Sequence, residues 1–290
     1  MEFSKYGTVL ENISLKDYNT YKVDSLCKTF IVINKIDDLV NFIKDYSGHY
    51  FIIGNGSNII LKNKYYDYPF IKLDFNDITK VSDDTYYVGA GVMPGALINE
   101  LYKDNLGGLE WASGIPGTIG GIIYNNAGAY NDEISNFVVS VKVLDKTDYS
   151  IKILAGDTCH FSYRNSIFKE TNNYIILGVT LKLKNIDVNE AKELILDRLM
   201  RRKASQPLEF PSAGSVFRNP EGDFAGRLVE VNDFKNYHIN DAYVSEKHAN
   251  FIINKGNATG EDIVNLINEI QDKVKNNDDV KLYLEQEIIE

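Results

Sequence analysis

The sequence predicts an α+β protein of more than one domain. Three observations carry that prediction. Strand-like and helix-like stretches mix without the regular βα alternation of a doubly wound sheet. Two glycine-dense stretches, Gly54–Asn58 and Gly114–Gly121, interrupt apolar runs. The 290 residues exceed what one hydrophobic core usually organises, which points to two or three domains. Composition agrees with a folded chain: 44% apolar and 25% charged residues exclude a disordered tail or a low-complexity scaffold.

The elements follow in order. Thr29–Ile33 is β-prone. Ile36, Leu39, Val40 and Ile43 recur at helical spacing. The apolar runs 50–53 and 59–61 flank Gly54-Asn55-Gly56-Ser57-Asn58, which reads as strand, glycine turn, strand. Pro94 opens a helix with Leu97, Ile98 and Leu101 inward. Strands are expected at 137–144, 150–154 and 174–183. Asp187 followed by Glu190 marks a helix start, with Val188, Ala191, Leu194, Ile195 and Leu199 facing inward and Arg201-Arg202-Lys203 at its end. Asn250–Ile253 reads as a strand. Thr259 and Asp262 form a second capping box, opening a helix with the stripe Ile263, Leu266, Ile267, Ile270 and Val274. An alternating strand closes the chain. Val280, Leu282, Leu284, Gln286 and Ile288 share one face, and Lys281, Tyr283, Glu285 and Glu287 share the other.

The formal net charge of −10 excludes the broad positive field of a nucleic-acid or anionic-membrane binder. A local basic pocket for a phosphorylated small molecule stays compatible with it. Two cysteines, Cys27 and Cys159, do not make a disulfide framework and point to a reducing compartment. No apolar run reaches the ~20 residues that span a bilayer. The segment Met1–Lys5 has no basic stretch followed by an apolar one. A cytoplasmic location is expected.

Gly54–Asn58 is neither a Rossmann fingerprint nor a P-loop, because it leads into a strand and lacks Gly-Lys-Ser/Thr. It reads as a tight turn or as a nest for an anion. Gly114–Gly121 packs four glycines into eight residues, and Asn125–Tyr130 follows closely. Small residues at this density let backbone approach a large anionic cofactor, although tight turns at a sheet edge are the ordinary alternative. Arg164, in Tyr163-Arg164-Asn165-Ser166, suits a carboxylate or a developing enolate. Ser215, in Gly214-Ser215-Val216-Phe217-Arg218-Asn219-Pro220, has no triad base but becomes a proton donor if its hydroxyl is polarised. Lys203 is either a phosphate contact or a favourable helix-end cation. His248 reads as structural, and Cys159-His160 lacks partners for zinc.

Taken together, in order, several segments resemble the UDP-N-acetylenolpyruvoylglucosamine reductase family, flavoenzymes of bacterial peptidoglycan synthesis. They are Gly54–Asn58, Gly108-Leu109-Glu110, Gly114-Ile115-Pro116-Gly117, Asn126–Tyr130, Tyr163–Ser166, Gly214–Pro220, Ser245–Asn250 and Leu284–Ile288. The resemblance spans the chain from Asn19-Thr20 to Glu287. It implies an FAD-binding domain of the vanillyl-alcohol-oxidase type in two lobes, 1–78 and 79–200, and a small α/β substrate domain over 201–290. It also implies hydride transfer from NADPH through FAD to the enolpyruvyl group of a UDP-sugar. By motif match, Ser215 protonates the enol carbon, and Arg164 and Glu287 stabilise or protonate the enolate carboxylate. Tyr163, Lys203 and Asn219 hold the sugar substrate, UDP-N-acetylglucosamine enolpyruvate. FAD is held by Gly54, Asn55, Gly56, Ser57, Asn58, Gly114, Gly117, Thr118, Gly120, Gly121, Ala127 and Gly128. The chain resembles the shorter subclass without an extra loop after Tyr163. Asn131 stands where the family usually has glycine, and Asn or Asp replace further glycines within 232–236 and 240–241. Such residues tolerate left-handed turns. A flavin-linked oxidase and a catalytically silent flavin or UDP-sugar binder are the alternatives. An oxidase does not need the Ser215 and Glu287 motifs.

Overall fold

A computed structural model describes residues 2–290. Strands and helices mix as expected, and the fold is α+β. Two compact units partition the chain. The first holds the chain through Leu10, Thr29–Gly54 and Tyr68–Leu199. The second holds Glu11–Lys28, Asn55–Asp67 and Met200–Glu290. The units interleave along the chain, whereas the expected lobes, 1–78, 79–200 and 201–290, are consecutive.

The first unit contains an antiparallel five-stranded sheet. Its order is Ile151–Ala155, Val138–Asp145, Tyr174–Lys182, Thr85–Gly89, Ile78–Ser82. Tyr174–Lys182 lies in the middle and is buried along nearly its whole length. Its successive residues enter different cores: Ile176 packs with Val88, Leu97 and Ile122, and Ile175 and Leu177 pack with Leu39, Phe42 and Ile71. That two-sided burial explains its unbroken apolar run. The helix Pro94–Leu101 buries Leu97, Ile98 and Leu101 as its spacing predicts. The short helix Ile119–Tyr124 lies against Tyr174–Lys182 and Thr85–Gly89. Thr118 caps it by accepting the Gly121 N–H.

The second unit contains a three-stranded antiparallel sheet of His238–Ile239, Ala242–Val244 and Ile252–Asn254. The helix Gly260–Asp278 buries Ile263, Leu266, Ile267, Ile270 and Val274. Its predicted capping box is present. The Asp262 N–H donates to Thr259 Oγ1 at 3.1 Å, and the Thr259 N–H donates to Asp262 Oδ2 at 2.8 Å. The helix starts hard against a strand: a Cβ on Gly260 would stand 1.7 Å from the Leu61 carbonyl oxygen. That strand, Ile59–Leu61, pairs in parallel with Glu287–Ile289.

Three expectations need correction. The runs on either side of Gly54–Asn58, read as strand, glycine turn, strand, do not pair with each other across a tight turn. Phe51–Ile53 joins Tyr65–Leu73 and Ile59–Leu61 joins Glu287–Ile289, so the glycine segment passes the chain from one sheet to another. In the helix Val188–Ser205, Ala191 is the only described buried residue, and Leu194 and Leu199 stand about 40% exposed. Its leucines and Met200 spread over more than half the circumference, so they form no single stripe to bury. The closing strand is regular only over Glu287–Ile289. Leu282 and Gln286 are buried as the alternation predicts, but the phase then slips and Ile289 rather than Ile288 is buried.

Candidate active site

The expected site residues fall into both units. In the first unit, Gly54 sits against the helix Ile119–Tyr124: a Cβ there would come 2.9 Å from Thr118 Oγ1. Gly121 is exposed on the first turn of that helix, and a Cβ there would meet nothing closer than Thr118 Oγ1 at 3.8 Å. The missing side chain leaves an open face of backbone, which a large ligand could approach. A Cβ on Gly120 would lie 3.0 Å from Ala90, so that glycine serves helix–strand packing. Gly114, Gly117, Ala127 and Gly128 belong to the same unit, in the segments on either side of the helix.

The far end of this helix is tied to the arginine turn. Ser166, fully buried, donates its hydroxyl to the Tyr124 carbonyl at 2.6 Å. Ser162 and Asn165 exchange both backbone hydrogen bonds, which leaves Tyr163 and Arg164 at the tip of a two-residue turn. Buried Asn126 donates to the Ser162 carbonyl at 3.0 Å and accepts the Ser135 N–H. Arg164 has φ +56°, a left-handed conformation that costs an ordinary side chain about 1–2 kcal/mol. Its guanidinium donates to the Gly128 carbonyl at 2.9 Å and lies 5.0 Å from the centre of the half-exposed Tyr163 ring. Strain held by this many contacts is typical of functional positions. Tyr130 and Asn131 are also left-handed, with φ of +58° and +62°, so Asn131 supplies the conformation for which glycine is the usual choice. Asp233, Asn236 and Asn240 do the same in the second unit.

The second unit brings the remaining groups together. The Val216 carbonyl accepts the Glu285 N–H, and the Arg218 N–H donates to the Tyr283 carbonyl. Ser215 therefore lies one residue from a ladder that leads directly to Glu287. Asn58 brackets Glu287. Its carbonyl accepts the Glu287 N–H at 3.0 Å, and its side-chain amide donates to the Glu285 carbonyl at 3.0 Å. Gly56 has φ +59°, and a Cβ there would sit 2.1 Å from the Tyr18 carbonyl oxygen, so this glycine is required by protein backbone. Asn219, exposed, accepts the Ala225 N–H at 3.0 Å at the start of the helix Ala225–Val231. Lys203 is exposed near the end of the helix Val188–Ser205, and its carbonyl accepts from Lys247 Nζ at 2.5 Å.

His248 behaves structurally, as expected. Its Nδ1 accepts the Asn250 N–H, and burial holds its pKa below the usual histidine value. Sequence reasoning missed three groups here. Buried Asn250 clamps Phe217, accepting its N–H at 2.9 Å and donating to its carbonyl at 2.8 Å. Arg218 Nε is buried with no hydrogen-bond partner. Gln286 is 4% exposed and joined to buried Tyr21 and to the turn before Ser215. Its signal was present in the sequence: a polar residue in the apolar phase of an alternating strand.

Comparison with known proteins places both halves. A family model described as the C-terminal domain of UDP-N-acetylenolpyruvoylglucosamine reductase matches residues 206–289. A family model of an FAD binding domain matches residues 33–152, which include Gly54–Asn58 and Gly114–Gly121. The UDP-N-acetylenolpyruvoylglucosamine reductase of Clostridium botulinum (strain 657 / Type Ba4) is 42% identical over 287 residues, 98% of this chain and 93% of that protein. That of Clostridium novyi (strain NT) is 39% identical over 286 residues, 97% and 92% respectively. The crystal structure of UDP-N-acetylenolpyruvylglucosamine reductase from Thermus caldophilus superposes with a TM-score of 0.81 at 29% identity, covering 98% of both chains.

Proposed function

The chain belongs to the UDP-N-acetylenolpyruvoylglucosamine reductase family, and on that premise we propose that it reduces UDP-N-acetylglucosamine enolpyruvate to UDP-N-acetylmuramate. NADPH is the hydride donor, FAD the resident cofactor, and the product a peptidoglycan precursor. The FAD fit rests on the open backbone at Gly121 beside Thr118 and Gly54. In this reading Gly54–Asn58, Gly114, Gly117, Thr118, Gly120, Gly121, Ala127 and Gly128 hold FAD, within lobes 1–78 and 79–200. Asn58 and Gly56 serve it through loop shape, given their backbone commitments. Residues 201–290 form the substrate domain, and Tyr163, Lys203 and Asn219 hold the sugar nucleotide. No helix among the described residues is long and apolar enough to cross a membrane, which accords with a cytoplasmic reaction.

When bound, the flavin supplies reversible hydride transfer. Hydride addition at the terminal carbon of the enolpyruvyl double bond leaves negative charge on the neighbouring carbon and its carboxylate. Arg164, held out at its strained turn, stabilises that charge. Ser215 gives the proton that completes the new C–H bond, and Glu287 balances protons at the carboxylate. The observation that carries this reading is the pairing of Val216 and Arg218 with Glu285 and Tyr283, which sets the segment that follows Ser215 beside the segment that precedes Glu287. An oxidase needs neither motif.

Stopped-flow absorbance separates the two half-reactions. Anaerobic NADPH should bleach the flavin band, and mixing with the enolpyruvyl sugar should restore it. Ser215→Ala should slow the restoration ~100-fold or more and leave bleaching nearly unchanged. Equal loss of both steps would remove Ser215 from the proton-donor role, and a band that never recovers in the parent protein would remove the sugar as substrate.

A further inference from the structure

Gln286 is the residue that the reaction scheme leaves unused, and its surroundings are built for one purpose. Its Nε2 donates to two consecutive carbonyls, Ala213 at 3.1 Å and Gly214 at 3.2 Å. Its Oε1 accepts the Tyr21 hydroxyl proton at 3.0 Å. All three of its polar contacts are thus on the turn that delivers Ser215, or on the tyrosine that fixes its own orientation. Gly214 has φ +78°, and a Cβ there would meet nothing within 4 Å. Packing therefore holds the turn at buried Ala213 but not at Gly214, and the two carbonyls are the handles by which a hydrogen-bonding side chain fixes the rest of it.

Tyr21 is anchored in turn. It is 1% exposed, and its carbonyl accepts from Asn254 Nδ2 at 2.9 Å. Asn254 also accepts the N–H groups of Gly256 and Ala258, each at 3.0 Å, and its own N–H donates to the Pro211 carbonyl. Asn19, buried two residues before Tyr21, closes its loop with bonds to Leu15 and Val23. Burial raises the Tyr21 phenol above its ordinary pKa, so it remains a donor to Gln286. A connected network of buried polar groups is satisfied at every link and has one arrangement.

We propose that Gln286, oriented by Tyr21, is a positioning residue that fixes the Ala213–Gly214 turn and thereby aims the Ser215 hydroxyl. The inference rests on the proposed role of Ser215 as proton donor. Proton transfer is sensitive to displacements below an ångström, so loosening this turn acts on the proton step and not on hydride supply.

The test uses purified flavin-bound protein and Gln286→Met, which keeps the length of the side chain and removes its amide. Restoration of the flavin band by the enolpyruvyl sugar should slow ~10- to 100-fold, with bleaching by NADPH within about twofold of the parent. The double variant Ser215→Ala/Gln286→Met should be no slower than Ser215→Ala, because the amide acts through the hydroxyl. Amide hydrogen exchange over 211–216 should accelerate in Gln286→Met, a readout independent of turnover. Tyr21→Phe should shift the same quantities in the same direction by less, and it carries the test if Gln286→Met does not fold. Parent-like restoration in Gln286→Met, multiplied slowing in the double variant, or unchanged exchange would each overturn the proposal. Normal sugar reduction by Ser215→Ala would instead overturn the role of Ser215 itself, so the two failures are told apart.

Discussion

At the scale of the residue, Arg164 shows the conflict between local stability and function. A left-handed arginine is costly, and a glycine at the tip of the same turn would remove the cost. Arg164→Ala keeps the strain and loses both the bond to the Gly128 carbonyl and the stacking on Tyr163. Arg164→Gly loses the same contacts without the strain. Arg164→Gly should therefore be more stable than Arg164→Ala by about 1 kcal/mol in urea unfolding, while both variants reduce the sugar poorly. Equal stability of the two would mean that the turn relaxes and stores no strain. The sequence marked Arg164 as an anion-binding candidate. It could not show the left-handed φ, because that depends on Asn126 and on the Ser162–Asn165 bonds closing the turn.

At the scale of the element, the glycines divide by what they approach. Gly56 and Gly260 make room for protein carbonyls, and Gly121 leaves a helix face open. Gly121→Leu should leave the flavin-free protein as stable as the parent or more so, since glycine costs about 1 kcal/mol in a helix. It should weaken flavin affinity ~10-fold or more in a fluorescence titration, by filling the space that the backbone offers. Undiminished affinity would place the cofactor elsewhere. The helices with clear start signals and stripes were legible in the sequence, Pro94–Leu101 by its opening proline and Gly260–Asp278 by its capping box, because such signals and periodicity are local. The helix Val188–Ser205 was legible in extent but not in burial, since periodicity does not say what, if anything, packs against a face.

At the scale of the whole molecule, cofactor and fold should be linked by mass action. A ligand at about 100 times its Kd stabilises the native state by about 2.7 kcal/mol. For a chain of this size that is roughly 5 °C in Tm. Thermal unfolding of flavin-stripped protein with and without FAD should show that rise. No rise would contradict the flavin reading, whatever the glycine loops look like. The net charge of −10 is an average over the molecule, and the cationic groups assigned to the site, Arg164 and Lys203, are its local exceptions.

The sequence by itself determined the α+β class, most strands and helices, the Thr259–Asp262 capping box, and the motifs that carry the family. These depend on neighbours within a few residues or on residue types in a fixed order. Tertiary structure decided which segments share a unit, with 11–28 and 55–67 joining 200–290. It also decided that Asn58 holds Glu287 and that Gln286 reaches back to Tyr21. Pairing partners more than two hundred residues apart leave no local trace, because a strand's pattern records which face is buried and not which strand lies beside it.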